Sequence, residues 1–202
     1  MEILIVRHGQ SQADLEDRYE GRADFSLTEL GCEQAQKLAK WVLENYRPDI
    51  ILSSPLKRAA QTAEYIGKET NVKIIFDDEL MEWDNGLLAG LLRSEAAEKY
   101  PLPKEGRKPY SEFAGTESYI NFRARAETFW AKFLDTYGTD ENIRRACIVS
   151  HGKMINMLFR AFMKLPIDTD ITLKTGDTGV HLWVVDGNKR EIVFSNSQAH
   201  LL

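Results

Sequence analysis

Along the chain, short apolar runs alternate with amphipathic stretches and polar turns. Residues 2–6, Glu-Ile-Leu-Ile-Val, are almost wholly apolar and β-rich, as in a central strand covered on both faces, and too short for an interior helix. Residues 10–27 are polar and turn-rich, with Gly21-Arg22-Ala23-Asp24 inside, and read as a functional loop. Thr28 is a natural N-cap, and Ala35, Leu38, Ala39, Val42, Leu43 and Tyr46 then recur at helical spacing, predicting one apolar stripe closed by Pro48. Residues 50–53 predict a second strand. Ser54-Pro55 reads as an N-cap with proline at the first helical position, opening a helix with Leu56, Ala59, Ala60, Ala63 and Ile66 on one face and an end near Gly67. Lys73–Phe76 is the third predicted strand.

The alternation breaks over residues 77–116, which hold acidic clusters, Gly86, Gly90, a short helical stretch around 92–100, and Pro101, Pro103 and Pro109. An excursion over the sheet edge is expected there. After Thr116, Phe122, Ala126, Phe129, Trp130, Phe133 and Tyr137 form an aromatic core stripe with Gly138 as its stop. Residues 146–150 repeat the opening pattern, ending at His151-Gly152 and running into a helix with Met154, Ile155, Leu158 and Phe159 that Pro166 terminates. Val180–Val185 and Arg190–Phe194 flank Asp186-Gly187-Asn188 and predict an edge hairpin. These elements specify an α/β three-layer sandwich: a mainly parallel central sheet, helices on both faces, and an excursion over the carboxyl edge of the strands. One domain is expected over 1–202, with the lid-like excursion at about 77–116.

Composition narrows the function. The net charge of −5 argues against a nucleic-acid surface, while local cations still permit a small anionic ligand. Met1 leads directly into the first strand without a signal-like segment, and no apolar run approaches the ~18 residues that span a bilayer, so a cytoplasmic protein without membrane association is expected. Cys32 and Cys147 fall in a predicted helix and strand, and two buried thiols are the simplest account. The oligomeric state is open.

Chemistry concentrates at three places: Arg7-His8 after the first strand, Arg58 in the helix after the second, and His151 after the fourth. Parallel strands share one carboxyl edge, where ligands of open α/β sheets gather. Two guanidiniums and two imidazoles can therefore converge, and guanidiniums match phosphoryl oxygens in charge and geometry. Three other readings fail on context. Asp168-Thr-Asp-Ile-Thr172 is similar to an aspartyl phosphatase motif but follows a helix rather than a strand. Cys147–Lys153 has cysteine-phosphatase spacing with lysine in place of the arginine. No metal-ligand spacing is present, and His181 and His200 are read as structural.

The chain resembles the histidine phosphatase superfamily, the phosphoglycerate mutase-like proteins, over essentially its whole length. The resemblance rests on Leu4-Ile-Val-Arg-His-Gly-Gln-Ser11, Gly21-Arg-Ala-Asp24, Leu27-Thr28 with Gly31, Ser53-Ser-Pro-Leu-Lys-Arg-Ala-Ala-Gln-Thr-Ala63, Glu82, Gly115-Thr-Glu-Ser118 and Val149-Ser-His-Gly152. It implies a cofactor-free, metal-independent phosphomonoesterase of the histidine acid phosphatase-like type. In it His8 attacks phosphorus, Arg7, Arg58 and His151 hold the phosphoryl oxygens, and Glu82 is the general acid. Gln10, Ser11 and Gly152 would add contacts near the phosphate. Asp14 departs from the pattern, since many relatives have asparagine there; an ionised carboxylate would repel the ligand unless turned away, protonated or paired with a cation. His8 is expected to be neutral and His151 to gain from being cationic beside a dianion. The alternatives are a phosphoglycerate mutase, which the short 83–115 segment disfavours, and a phosphate-binding scaffold without turnover. Trp83, Leu87, Leu88 and Leu91 either line a pocket or anchor the excursion.

Overall fold

Strand β1 (Glu2–Arg7) shows how the sequence builds three layers. Successive side chains point to opposite faces, and Ile3, Leu4, Ile5 and Val6 are all completely buried. Ile3 and Ile5 join one core cluster, Leu4 and Val6 the other. A strand apolar at every position is thus a strand with helices on both sides.

The computed structural model describes residues 1–202. After β1 come α1 (Gln12–Glu16), α2 (Glu29–Tyr46), β2 (Ile50–Ser53), α3 (Lys57–Thr70), β3 (Ile74–Phe76), α4 (Arg93–Lys99), α5 (Tyr119–Tyr137), β4 (Arg145–Ser150), α6 (Gly152–Phe162), β5 (Val180–Asp186) and β6 (Lys189–Ser197). The six strands lie in the order β3-β2-β4-β1-β5-β6. The first four are parallel; β5 pairs antiparallel with β1, and β6 pairs antiparallel with β5 at the sheet's edge. The expected α/β sandwich with a mainly parallel sheet is what forms.

Helices α5 and α6 cover one face, with Phe122, Phe129, Trp130, Phe133, Ile155 and Phe162 packed on Ile3, Ile5, Leu52, Ile148 and Trp183. Helices α2 and α3 cover the other through Leu38, Val42, Ala59, Ala63 and Ile66. Each large side chain fully withdrawn from water contributes about 1.5–3 kcal/mol before conformational entropy is subtracted. No helix is long and apolar enough to cross a membrane.

Several boundaries differ from those the sequence predicts. Helix α3 starts at Lys57, not at Pro55, because Leu56 keeps an extended backbone (φ −62°, ψ 133°) and is itself the N-cap; Ser54 Oγ accepts from Leu56 N at 3.3 Å and meets His151 Nε2 at 2.8 Å. The same helix runs past Gly67 to Thr70, where Asn71 adopts the left-handed conformation and its N–H bonds Gly67 O. Leu43 is exposed rather than part of the stripe. The 10–27 loop contains the short helix α1. Within the excursion, Leu88 and half-buried Trp83 are anchors, and Leu87 is exposed.

Candidate active site

Register decides which side chains meet. Arg7 pairs opposite Ser150, and Ser53 opposite Val149, so His8, Ser54 and His151 leave the sheet side by side at the carboxyl edge of β1, β2 and β4. The backbone of His8 is held on both sides: its N–H donates to Ser150 O at 3.1 Å and its carbonyl accepts from Thr178 N at 3.1 Å. Gly9 follows because the chain here grazes the start of α2, where an added Cβ would lie 2.6 Å from Gly31 O.

The His8 ring has one strong orienting contact. Nδ1 lies 2.7 Å from Gly9 O, an acceptor only, which places the proton on Nδ1 and leaves Nε2 with its lone pair. Arg58 Nε donates to that Nε2 at 3.3 Å. Burial, then Arg58, then Arg7 hold the His8 pKa well below 6.5, so the ring is neutral at physiological pH, as the sequence leads one to expect. His151 stands beside it, ring centroids 5.1 Å apart, with Nε2 on Ser54 Oγ and Nδ1 buried without a partner. Burial, Arg58 and His8 also push its pKa well below 6.5, so within these contacts it is neutral rather than cationic.

The arginines are firmly tethered. Arg58, completely buried, donates from Nη1 to Ala23 O at 3.1 Å and from Nη2 to Gly21 O at 2.8 Å, so the base of α3 fixes the functional loop. Arg7 donates from Nη1 to Thr175 O at 3.0 Å, lies 3.2 Å from Asp177 Oδ1 and 3.4 Å from Asp14 Oδ1, and keeps Nε buried and unpartnered. Asp14 is therefore paired with a cation, the last of the three options left open for it. Its other oxygen accepts from Ser11 N at 3.0 Å while Asp14 N donates to Ser11 Oγ at 3.1 Å, closing a capping box on α1.

The remaining sequence-predicted residues scatter in role. Ser11 is fully buried as the cap of α1. Gln10 stitches the loop to α2, its N–H donating to Gln34 Oε1 and its Oε1 accepting from Thr28 Oγ1. Gly152 opens α6, with an added Cβ 3.9 Å from Arg7 Nε. Glu82 is nearly buried across the mouth of the site: Oε1 accepts from its neighbour Trp83 N and Oε2 from Lys153 N in the first turn of α6. Cys147 is core, its thiol pushed up to about 12 by burial. His181 and His200 bond Thr175 and Thr178 and are lowered to about 4 by burial, consistent with structural roles.

Glu20 escapes the sequence reading. Glu20 Oε1 lies 3.2 Å from Arg58 Nε and its Oε2 3.9 Å from His8 Nε2, while Ser11 Oγ donates to the carboxylate. Glu20 sits next to Gly21 in the functional loop, where periodicity carries no signal. Thr62, whose Oγ1 accepts from Gly9 N at 3.2 Å, Thr175 and Asp177 escape it for the same reason, and Ser54 is read only as an N-cap: each is fixed at the site by tertiary contact rather than by local pattern. A polar cavity of about 200 Å³ opens beside the cluster, bordered by Asp14, Glu20, Gly21, Glu82, Asn85 and Lys153 among others. His8 is only 1% exposed and does not itself border the cavity; Glu20, which does, lies 3.9 Å from His8 Nε2.

Comparison with known proteins agrees with this arrangement. Residues 3–198 match the Histidine phosphatase superfamily (branch 1). Glucosyl-3-phosphoglycerate phosphatase of Mycobacterium tuberculosis is 32% identical over 171 residues, 82% of this chain and 76% of that protein. The 2,3-bisphosphoglycerate-dependent phosphoglycerate mutase of Cytophaga hutchinsonii is 34% identical over 181 residues, 86% of this chain and 84% of that one. A solved structure of the mycobacterial glucosyl-3-phosphoglycerate phosphatase in complex with VO3 superposes with a TM-score of 0.84 at 27% identity, covering 97% of this chain and 98% of the other. With the match running nearly end to end and the sheet edge carrying two histidines and two arginines, the chain belongs to branch 1 of the histidine phosphatase superfamily.

Proposed function

We propose that the chain is a metal-independent phosphatase that hydrolyses a small phosphomonoester through a phosphohistidine on His8. The observation that carries this reading is the His8 ring: its proton is tied to Gly9 O, and its unprotonated Nε2 accepts a 3.3 Å hydrogen bond from Arg58 Nε, a donor that an incoming phosphoryl oxygen can take over. Nε2 attacks phosphorus in line as the ester oxygen departs. The charge on the transferring phosphoryl falls to donors already in place, which avoids reorganisation during the reaction. Arg7 Nε is one such donor. His151 Nδ1 is another, because a Ser54 hydroxyl that accepts from Leu56 N has its own proton to give to Nε2 and so leaves the ring's proton on Nδ1. Glu82 in its acid form protonates the leaving oxygen, then as carboxylate takes a proton from the water that attacks the phosphohistidine.

Phosphatase relatives and the likeness to a structure that holds VO3 support this reading. Phosphoryl transfer of the mutase type is the second reading, favoured by the mutase relative at similar identity. 3-Phosphoglycerate separates them: release of inorganic phosphate supports the phosphatase, isomerisation without release the mutase. An aryl phosphate should be hydrolysed in the presence of chelator. Activity that needs a divalent ion, or that survives His8→Ala, would overturn the mechanism.

A further inference from the structure

Glu20 is a carboxylate inside a site built to hold an anion. Its Oε1 lies 3.2 Å from Arg58 Nε, the same N–H that faces His8 Nε2. A phosphorus in line with Nε2 must put an oxygen close to that N–H, because the donor and the attacking nitrogen are 3.3 Å apart. The carboxylate already stands in that space, with its second oxygen 3.9 Å from Nε2. Two like-charged oxygens cannot share it. Moving Glu20 aside is restricted, since Ser11 Oγ donates to it and the Gly21 and Ala23 carbonyls that follow it are bound by Arg58.

We infer that Glu20 enters the substrate complex as the carboxylic acid and donates its O–H to a phosphoryl oxygen, so that the site takes up one proton with each dianion or, equivalently, selects the phosphomonoester monoanion. This rests on the phosphatase reading and adds a substrate-contacting proton donor to it. The balance is simple. A monoanionic ester gives its proton to the Glu20 carboxylate and binds as the dianion beside the acid; a dianionic ester draws that proton from solvent. Arg58 from α3 and the Ser11 hydroxyl oppose protonation of Glu20, Asp14 from α1 and Glu82 from the excursion favour it, His8 at the end of β1 is neutral, and Asp17, Arg18, Arg93 and Lys153 border the same cavity. Burial outweighs Arg58 and raises the Glu20 pKa above 4.5 even before an anion arrives.

The test is calorimetric titration of inorganic phosphate into the whole chain and into Glu20→Gln, whose amide donates without titrating. At about pH 8, wild type should take up close to one proton more than the variant, read from buffers of different ionisation enthalpy. The variant should bind at least tenfold tighter than wild type at that pH and within threefold at about pH 5. Infrared difference spectra of wild type on phosphate addition should gain a carboxylic-acid carbonyl band that Glu20→Gln lacks, and the wild-type spectrum decides the matter even if the variant does not fold. Phosphate binding without that band or that proton difference overturns the Glu20 assignment alone. So does equal weakening of the variant at both pH values, which would make Glu20 only a support for Arg58. Failure of phosphate to bind either protein at any pH overturns the phosphatase reading beneath it.

Discussion

Two strands of this protein end in the same words, His8-Gly9 after β1 and His151-Gly152 after β4, yet the two histidines are built for different work. His8 spends the Nδ1 proton on a carbonyl and leaves Nε2 unprotonated, accepting from Arg58 Nε. His151 spends Nε2 on Ser54 and leaves Nδ1 without a partner. The glycines differ as well: Gly9 is jammed against the Gly31 carbonyl, while Gly152 has open space and starts a helix. On the proposed mechanism, which nitrogen its surroundings consume decides whether a histidine at a strand end serves as nucleophile or as phosphate ligand.

The largest effect that can break this comparison is on turnover. His8→Ala should lower kcat/KM by about 10⁴-fold or more, and His151→Ala by about 10²–10³-fold, because one removes the bond-forming atom and the other a donor. Because a phosphohistidine P–N bond is labile in acid and stable in base, radiolabel from a labelled ester should survive an alkaline quench on wild type and His151→Ala and be absent from His8→Ala. Equal losses would erase the division of labour.

Stability comes next. Gly9→Ala forces a Cβ to within 2.6 Å of a backbone oxygen and should cost about 3 kcal/mol in chemical denaturation, whereas Gly152→Ala meets its nearest atom at 3.9 Å and should change stability by less than about 1 kcal/mol. Ser54→Ala orphans His151 Nε2 and Leu56 N, for roughly 1–3 kcal/mol and about a tenfold fall in activity. The smallest effect per residue is the pH dependence. Both histidines have folded-state pKa values below 6.5, so the unfolded chain binds protons first as pH falls; stability is full above about 6.5 and declines below it. Melting temperature should drop from about pH 6.5 downward, and replacing either histidine by Asn should flatten the slope by up to about 1.4 kcal/mol per pH unit.

The parts of the molecule legible in the sequence are those with a period. Ile3 to Val6, the α5 stripe from Phe122 to Phe133, and the turn at Gly187, with φ of 54° between β5 and β6, are local patterns with local causes. Arg7, His8, Arg58 and His151 were visible because strand ends in a parallel sheet share an edge. The start of α3 differs from the sequence pattern because Leu56 stays extended as its N-cap, while the Ser54 hydroxyl is shared between Leu56 N and His151. Glu20 was invisible because the 10–27 loop takes its shape from distant partners: Leu27 N donates to Gln61, Lys57 N to Asp24, and Arg58 to two loop carbonyls. No nearest-neighbour pattern encodes such a position.

The strand order has a consequence for biosynthesis. β4, residues 145–150, lies between β1 and β2, so a ribosome must deliver nearly three-quarters of the chain before the first two strands can be joined. Until then β1 and β2 have unpaired edges facing a gap, and His8 and Arg58 belong to fragments with no fixed distance between them. Such non-local closure makes folding slow and exposes those edges to other chains. A nascent or truncated chain ending before Arg145 should therefore associate with itself rather than work at reduced rate: catalysis arrives in a single step, with the strand that closes the sheet.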